Sequence, residues 1–202
     1  MTSSDYNRNV FINCPFDDAY APLFQAIVFA TQDLGFRPRC ARERLDSGEV
    51  RLDKIADLIA SSRYSIHDLS RTELDLSSKL PRFNMPLELG IDIGCRLFGK
   101  GQQRKSMLIL DSERYRYQKY VSDIAGQDIQ SHAGKAFKAV ICVRHWLRTA
   151  SGVSLRAGAS VFDRYRRFKR NLPTCRALDL DENELAFADL SFTIATWLRE
   201  RA

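Results

Sequence analysis

The stretch Val10-Phe11-Ile12-Asn13-Cys14-Pro15-Phe16-Asp17-Asp18 decides how this chain is read. Val10 to Cys14 is an apolar run that Pro15 stops, the pattern of a short strand buried on both faces. The spacing then predicts a helix from about Asp18 to Leu34, with Leu23, Ala26, Ile27 and Ala30 forming its apolar stripe and Gly35 ending it. The alternation continues outward. Phe36 to Ala41 reads as a weak strand, and Arg42 to Glu49, with Asp46-Ser47-Gly48, as a loop. Val50 to Ser62 reads as a helix and Tyr64 to Leu69 as a third strand. A polar connection runs from Ser70 to Pro81, long enough to suggest function. Asn84 is a candidate cap for a helix reaching about Phe98, with Pro86 tolerated in its first turn.

Lys105 to Leu110 is a fourth strand with Met107-Leu108-Ile109-Leu110 as its core. Arg114 to Val121 reads as helical, and Ile124 to Ile129 as a poor fifth strand. Helices follow at about Gly134 to Thr149, Ala159 to Asn171 and Glu182 to Arg201, with Ser151 to Gly158 as the most linker-like stretch. Strand and helix alternate as far as about residue 110, which argues for a parallel sheet covered by helices on both faces.

A chain of 202 residues buries roughly 70% of the surface its unfolded form exposes, enough for a self-sufficient core. Hydrophobic residues at 45% and charged residues at 28% exclude a disordered, collagen-like or coiled-coil chain. No stretch approaches the ~18 apolar residues of a membrane span, and the N-terminal residues show no secretory signal. The expected compartment is the cytoplasm, with no membrane partner. The five cysteines (Cys14, Cys40, Cys95, Cys142, Cys175) contain no C-x-x-C pair and do not alternate with histidines at zinc spacing. Neither a disulfide framework nor a metal site is expected. His67 and Asp68 are neighbours on a strand and should point to opposite faces. Cys14 is expected to be buried packing rather than a nucleophile.

The net charge is +6. Basic residues gather at Arg164, Arg166, Arg167, Lys169 and Arg170. A solvated helix face and a contact with phosphate-bearing partners, nucleic acid among them, are both open readings. No Gly-rich phosphate loop and no G-x-S-x-G elbow occurs, which argues against dinucleotide-dependent dehydrogenases, P-loop ATPases and α/β-hydrolases.

In an open parallel sheet the ligand crevice lies beyond the carboxyl ends of the strands. That rim collects Asn13, Pro15, Phe16 and Asp17 after the first strand, and Arg39, Arg42 and Asp46 after the second. Asp68 and Ser70 follow the third, and Asn84, Met85 and Glu88 open the next helix. Placed in a first turn, Glu88 should be held ionised by the helix dipole. Asp68 reads as a strand-end cap or as an acid, and Arg39 and Arg42 as surface residues or as a bidentate phosphate grip.

Three segments carry a resemblance. Residues 10–18 resemble the opening strand and loop of Toll/interleukin-receptor (TIR) domains. Residues 55–70, IADLIASSRYSIHDLS, resemble the helix and third strand of the same family. Glu88-Leu89-Gly90, with Gly94 four residues on, is similar to the catalytic-glutamate helix of nucleoside 2-deoxyribosyltransferases, and Asp68-Leu69 to their strand-three aspartate. The resemblance covers about residues 9 to 110.

It implies an α/β, flavodoxin-like doubly wound parallel sheet of about five strands, residues 1–130, with a C-terminal helical extension, residues 131–202, packed on it. It also implies cleavage or exchange of the N-glycosidic bond of a nucleotide, nucleoside or NAD, as in many relatives that act in bacterial defence against phage. In that scheme Glu88 stabilises or attacks the sugar carbon, and Asp68, if another carboxylate lies near it and raises its pKa, supplies a proton to a neutral base. Arg39 and Arg42 hold the 5′-phosphate, Phe16 stacks on the base and Asn13 hydrogen-bonds it. No cofactor is needed beyond NAD or a nucleotide as substrate or ligand. Related folds complete such sites across a subunit contact, so a homodimer fits. The alternatives are a nucleotide-binding sensor without turnover, and a nucleic-acid or protein interaction module built on the basic C-terminal helices.

Overall fold

The computed structural model describes residues 3–72, 82–172 and 185–201. Strand β1 (Asn9–Asn13) is buried along its whole length, which is why Val10-Phe11-Ile12 shows no polar alternation: helices cover both sides. After a short N-terminal turn, α1 (Ser3–Tyr6), the chain runs through β1, α2 (Ala21–Asp33), β2 (Arg37–Arg39), α3 (Arg51–Ala60), β3 (Tyr64–Asp68), α4 (Asn84–Phe98), β4 (Ser106–Asp111), β5 (Gln130–Ser131), α5 (Ala136–Ser151), α6 (Gly158–Asn171) and α7 (Phe187–Glu200). The five strands form one sheet in the order β2-β1-β3-β4-β5, and every neighbouring pair is parallel. This is the flavodoxin-like order, and its direction of winding reverses at β1 and β3.

Local chemistry explains the element ends. Pro22 sits in the opening turn of α2, where a missing N–H is harmless. At the other end Gly35 has φ +86. Its N–H bonds the Gln32 carbonyl and the Phe36 N–H bonds the Thr31 carbonyl, the paired closure that a left-handed glycine permits. Asn84 does not cap α4. It is the first helical residue, and the capping position is Phe83.

Two expectations between β4 and α5 are corrected. In place of a helix over 114–121 there is a short 3-10 turn at Arg116–Lys119, preceded by Tyr115 in the left-handed region at φ 62. In place of a strand over 124–129 there is a second 3-10 turn, Ser122–Ile124, and the strand comes later, as β5. Ile124 and Ile129 both pack against a cluster around Tyr117 rather than alternating across a sheet. The polar connection from Ser70 continues into residues 73–81, outside the described residues, as do Cys175 and the first residues of the helix expected from Glu182.

Period-two alternation divides the core. Val10, Ile12, Tyr64, Ile66, Leu108 and Leu110 face the layer of α2, α5, α6 and α7, and Phe11 faces α3. Phe29 of α2 ties the C-terminal helices in, with ring centroids 5.4 Å from Phe168 and 5.7 Å from Trp197. The expected division at 130/131 falls inside β5. α5 packs on α2 and β4, and α6 and α7 also pack on α2. Among the described residues no helix is long and apolar enough to cross a membrane.

Candidate active site

The loop after β1 and the opening of α4 meet beyond the carboxyl ends of β1 and β3. Asn13, Pro15, Phe16 and Asp17 from the first, and Asn84, Met85 and Glu88 from the second, line a cavity of about 240 Å³. Cys14, Arg51 and Arg82 complete its wall. Seven of the twelve residues expected at the rim therefore converge on one cavity.

Glu88 is buried. As the fifth residue of α4 it lies in the second turn rather than the first, beyond the strongest reach of the helix dipole. Burial pushes its carboxyl up from 4.5 to about 7, and the Arg51 guanidinium opposes that rise. The nearest Arg51 nitrogen is 3.8 Å away, on a side chain more than half exposed, so water screens much of its charge. The expectation of a fully ionised glutamate at neutral pH is corrected to a carboxyl near its midpoint.

A buried polar chain supports the cavity floor. The Asn13 side-chain amide donates to His67 Nδ1 at 3.0 Å and to the Met85 carbonyl at 2.9 Å. An amide nitrogen can only donate, so Nδ1 accepts and Nε2 donates, to Asp92 Oδ2 at 2.9 Å. Asp92 Oδ1 lies 3.2 Å from Lys105 Nζ, which also donates to the carbonyls of Ile59 and Ser62 at 2.7 and 2.5 Å. Burial alone would raise the Asp92 pKa, but the His67 hydrogen bond and the Lys105 charge hold it below the usual range. Both amide protons of Asn13 are spent, while its Oδ1 has no partner among the described residues. Asn13 therefore offers the cavity an acceptor.

Sequence reasoning missed Asp92 and Lys105 in this chain. A signal was available: Asp92 follows Glu88 by one helical turn, which places two acidic groups on one side of α4.

Asp68 plays a different part from the one expected. It leaves the opposite face of β3 from His67, as strand geometry requires. Its Oδ2 accepts from Tyr20 Oη at 2.5 Å and lies 3.0 Å from His132 Nε2; its Oδ1 accepts from the Ser70 N–H at 2.9 Å. Burial would raise its pKa, yet His132, the Ser70 N–H and Tyr20 together hold it below the carboxylate range. It has no proton to give at neutral pH and does not line the cavity. Ser70 joins this cluster through its backbone N–H and does not line the cavity.

The expected phosphate grip is also redrawn. Both carboxylate oxygens of Glu43 hold the Arg39 fork, each contact at 2.5 Å. Arg42 donates to the Phe16 carbonyl at 2.8 Å and stacks 4.5 Å over its ring, so one face of Phe16 is taken. Asp46 accepts from the Gly48 N–H at 2.8 Å in a local turn. The guanidiniums that do line the cavity are Arg51 and Arg82. Arg82 is 3.9 Å from Asp17 Oδ2, and Arg71 is 3.3 Å from Asp17 Oδ1. Cys14 is a buried thiol whose pKa burial pushes well above its ordinary value, so it is no nucleophile at neutral pH.

No family model, curated protein or solved structure matches the chain.

Proposed function

We propose that the protein breaks the N-glycosidic bond of a nucleotide, a nucleoside or NAD, with Glu88 as the catalytic carboxylate. The carrying observation is a single one: a glutamate with a pKa near 7 in a small cavity at the winding reversal of the sheet. Cleaving C1′–N sends the bonding electron pair to the base nitrogen and leaves positive charge on the sugar. An ionised Glu88 beneath C1′ stabilises that charge or forms an ester with it, which water then hydrolyses. The Asn13 Oδ1 suits a sugar hydroxyl or an amide N–H. Arg51 and Arg82 suit a phosphate. The cavity is below the roughly 300–1,000 Å³ of ordinary ligand sites, so it receives one end of a dinucleotide rather than the whole.

The carboxyls narrow the substrate class. Asp68 is held ionised and lies outside the cavity, so it supplies no acid. A neutral base needs a proton to leave, whereas nicotinamide in NAD already carries positive charge and departs without one. The arrangement therefore favours a cationic leaving group. The test is incubation with NAD, nucleosides and nucleoside monophosphates, beside a Glu88→Gln control, with chromatography of released nicotinamide or base. Nicotinamide release by the wild type and not by the control is expected. Absence of release from every substrate, with ligands still bound in a calorimeter, would overturn catalysis and leave a nucleotide-binding sensor.

A further inference from the structure

A second cleft lies between α6 and α7. It has a volume of about 390 Å³ and is lined by Arg164, Arg167, Arg170, Asn171, Trp197 and Arg201. Four guanidiniums thus converge on one space, three from α6 and one from the residue that follows α7. Arg164 is balanced by Asp33 at 2.9 Å, and Arg201 by Glu200 at 3.1 Å. Arg167 and Arg170 have no hydrogen bond or ion pair among the described residues, and both are exposed. The cleft therefore carries about two positive charges that no described residue neutralises. Arg164, Arg167 and Arg170 repeat every three residues along one face of α6, and like charges at that spacing cost a helix a few tenths of a kcal/mol per pair.

Trp197 orients part of this charge. Its ring is buried, and Arg164 and Arg201 lie over it at 5.4 and 5.0 Å from the centroid. These contacts hold both guanidiniums in place before any ligand arrives. The buried ring presents no free face for a nucleobase to stack on. What the cleft offers is a row of donors for anionic oxygen, matched to planar bidentate recognition of phosphate.

We infer that the α6–α7 cleft binds consecutive phosphates, through their oxygens and without reading bases. The same chemistry is presented by a free oligophosphate and by a nucleic-acid backbone. The cleft and the Glu88 cavity share no lining residue.

Two probes test it: inorganic tripolyphosphate by calorimetry, and a fluorescent single-stranded oligonucleotide of mixed sequence by anisotropy. Each is titrated into wild type, Arg167→Ala/Arg170→Ala, and the charge-matched control Arg104→Ala/Arg166→Ala. All four arginines are exposed, and circular dichroism is the check that the variants keep the fold. The inference expects affinity for at least one probe to fall about tenfold or more in the cleft variant, and less than about threefold in the control. For the oligonucleotide, the slope of log K against log salt should flatten by about 1.4, the share of two arginines on a single strand. Tripolyphosphate bound and competing with the oligonucleotide identifies the free anion as a sufficient ligand. Oligonucleotide bound without it identifies the backbone. Binding of neither probe, or equal losses in the two double variants, would overturn the inference.

Discussion

Replacing Glu88 with glutamine should make the protein more stable at alkaline pH, and the size of the gain follows from the buried carboxyl. In the unfolded chain the glutamate titrates near 4.5, and in the folded chain near 7. Between those values the folded state binds more protons than the unfolded one. Stability is then fully present below about pH 4.5 and is lost as pH rises through about 7. Each pH unit between the two values costs about 1.4 kcal/mol, so the loss reaches about 3 kcal/mol and levels off above pH 8. Glutamine keeps the shape and cannot ionise, so Glu88→Gln escapes the loss. Urea denaturation of both proteins from pH 4 to 9 measures the difference. The two curves should run together at pH 4 and diverge through pH 5 to 7, with the variant ahead by about 3 kcal/mol at pH 8. A difference that stays constant with pH would refute the elevated titration. With it would go the basis for expecting N-glycosidic cleavage to rise with pH through 7 as Glu88 ionises.

Asp68→Asn should cost about 3 kcal/mol near neutral pH, because it breaks a buried cluster with His132, Tyr20 and the Ser70 N–H. Since the Asp68 pKa is held down, that gap should be constant above about pH 5 and close as pH falls below about 4; denaturation across that range reads it. Arg51→Ala and Arg82→Ala should each weaken binding of a nucleoside monophosphate about tenfold relative to the nucleoside. Arg39→Ala should leave both affinities unchanged, and calorimetry compares them. Alkylation at pH 8, followed by mass spectrometry, should label Cys14 and Cys40 at least about tenfold more slowly than Cys95, since both are buried and the Cys40 thiol is pushed up to about 12.

Much of the fold was legible from local pattern. The run at Val10-Phe11-Ile12, the stripe of α2 and the core of β4 each announce their element within a few residues, since burial on one or both faces writes its own period into the chain. β5 was misplaced because two residues of ladder leave no period to read. The helix expected around Arg116 failed for a non-local reason. Arg116 and Tyr120 are spent on Asp111 and on the Leu69 carbonyl, bonds that no propensity within residues 114–121 contains.

The candidate site divides in the same way. Topology placed Asn13, Phe16, Asp17 and Glu88 at one rim, because a parallel sheet sends every strand end to the same edge. Residue type and spacing left open which arginine is free and which carboxyl holds a proton. Glu43 takes Arg39 through a local turn, while Arg51 reaches the cavity from α3.

An alternating α/β chain, the residues at its carboxyl rim and a basic face on α6 are all written in the linear order of residues. Those properties follow from hydrophobic period and helical spacing, which are local. Packing alone raises the Glu88 carboxyl to about 7 and holds Asp68 below its ordinary value. The fold also makes Arg167 and Arg170 share a cleft with Arg201 at the end of α7. Charge state and ligand geometry depend on desolvation and on partners brought from distant parts of the chain, and those quantities come into being only when the layers pack.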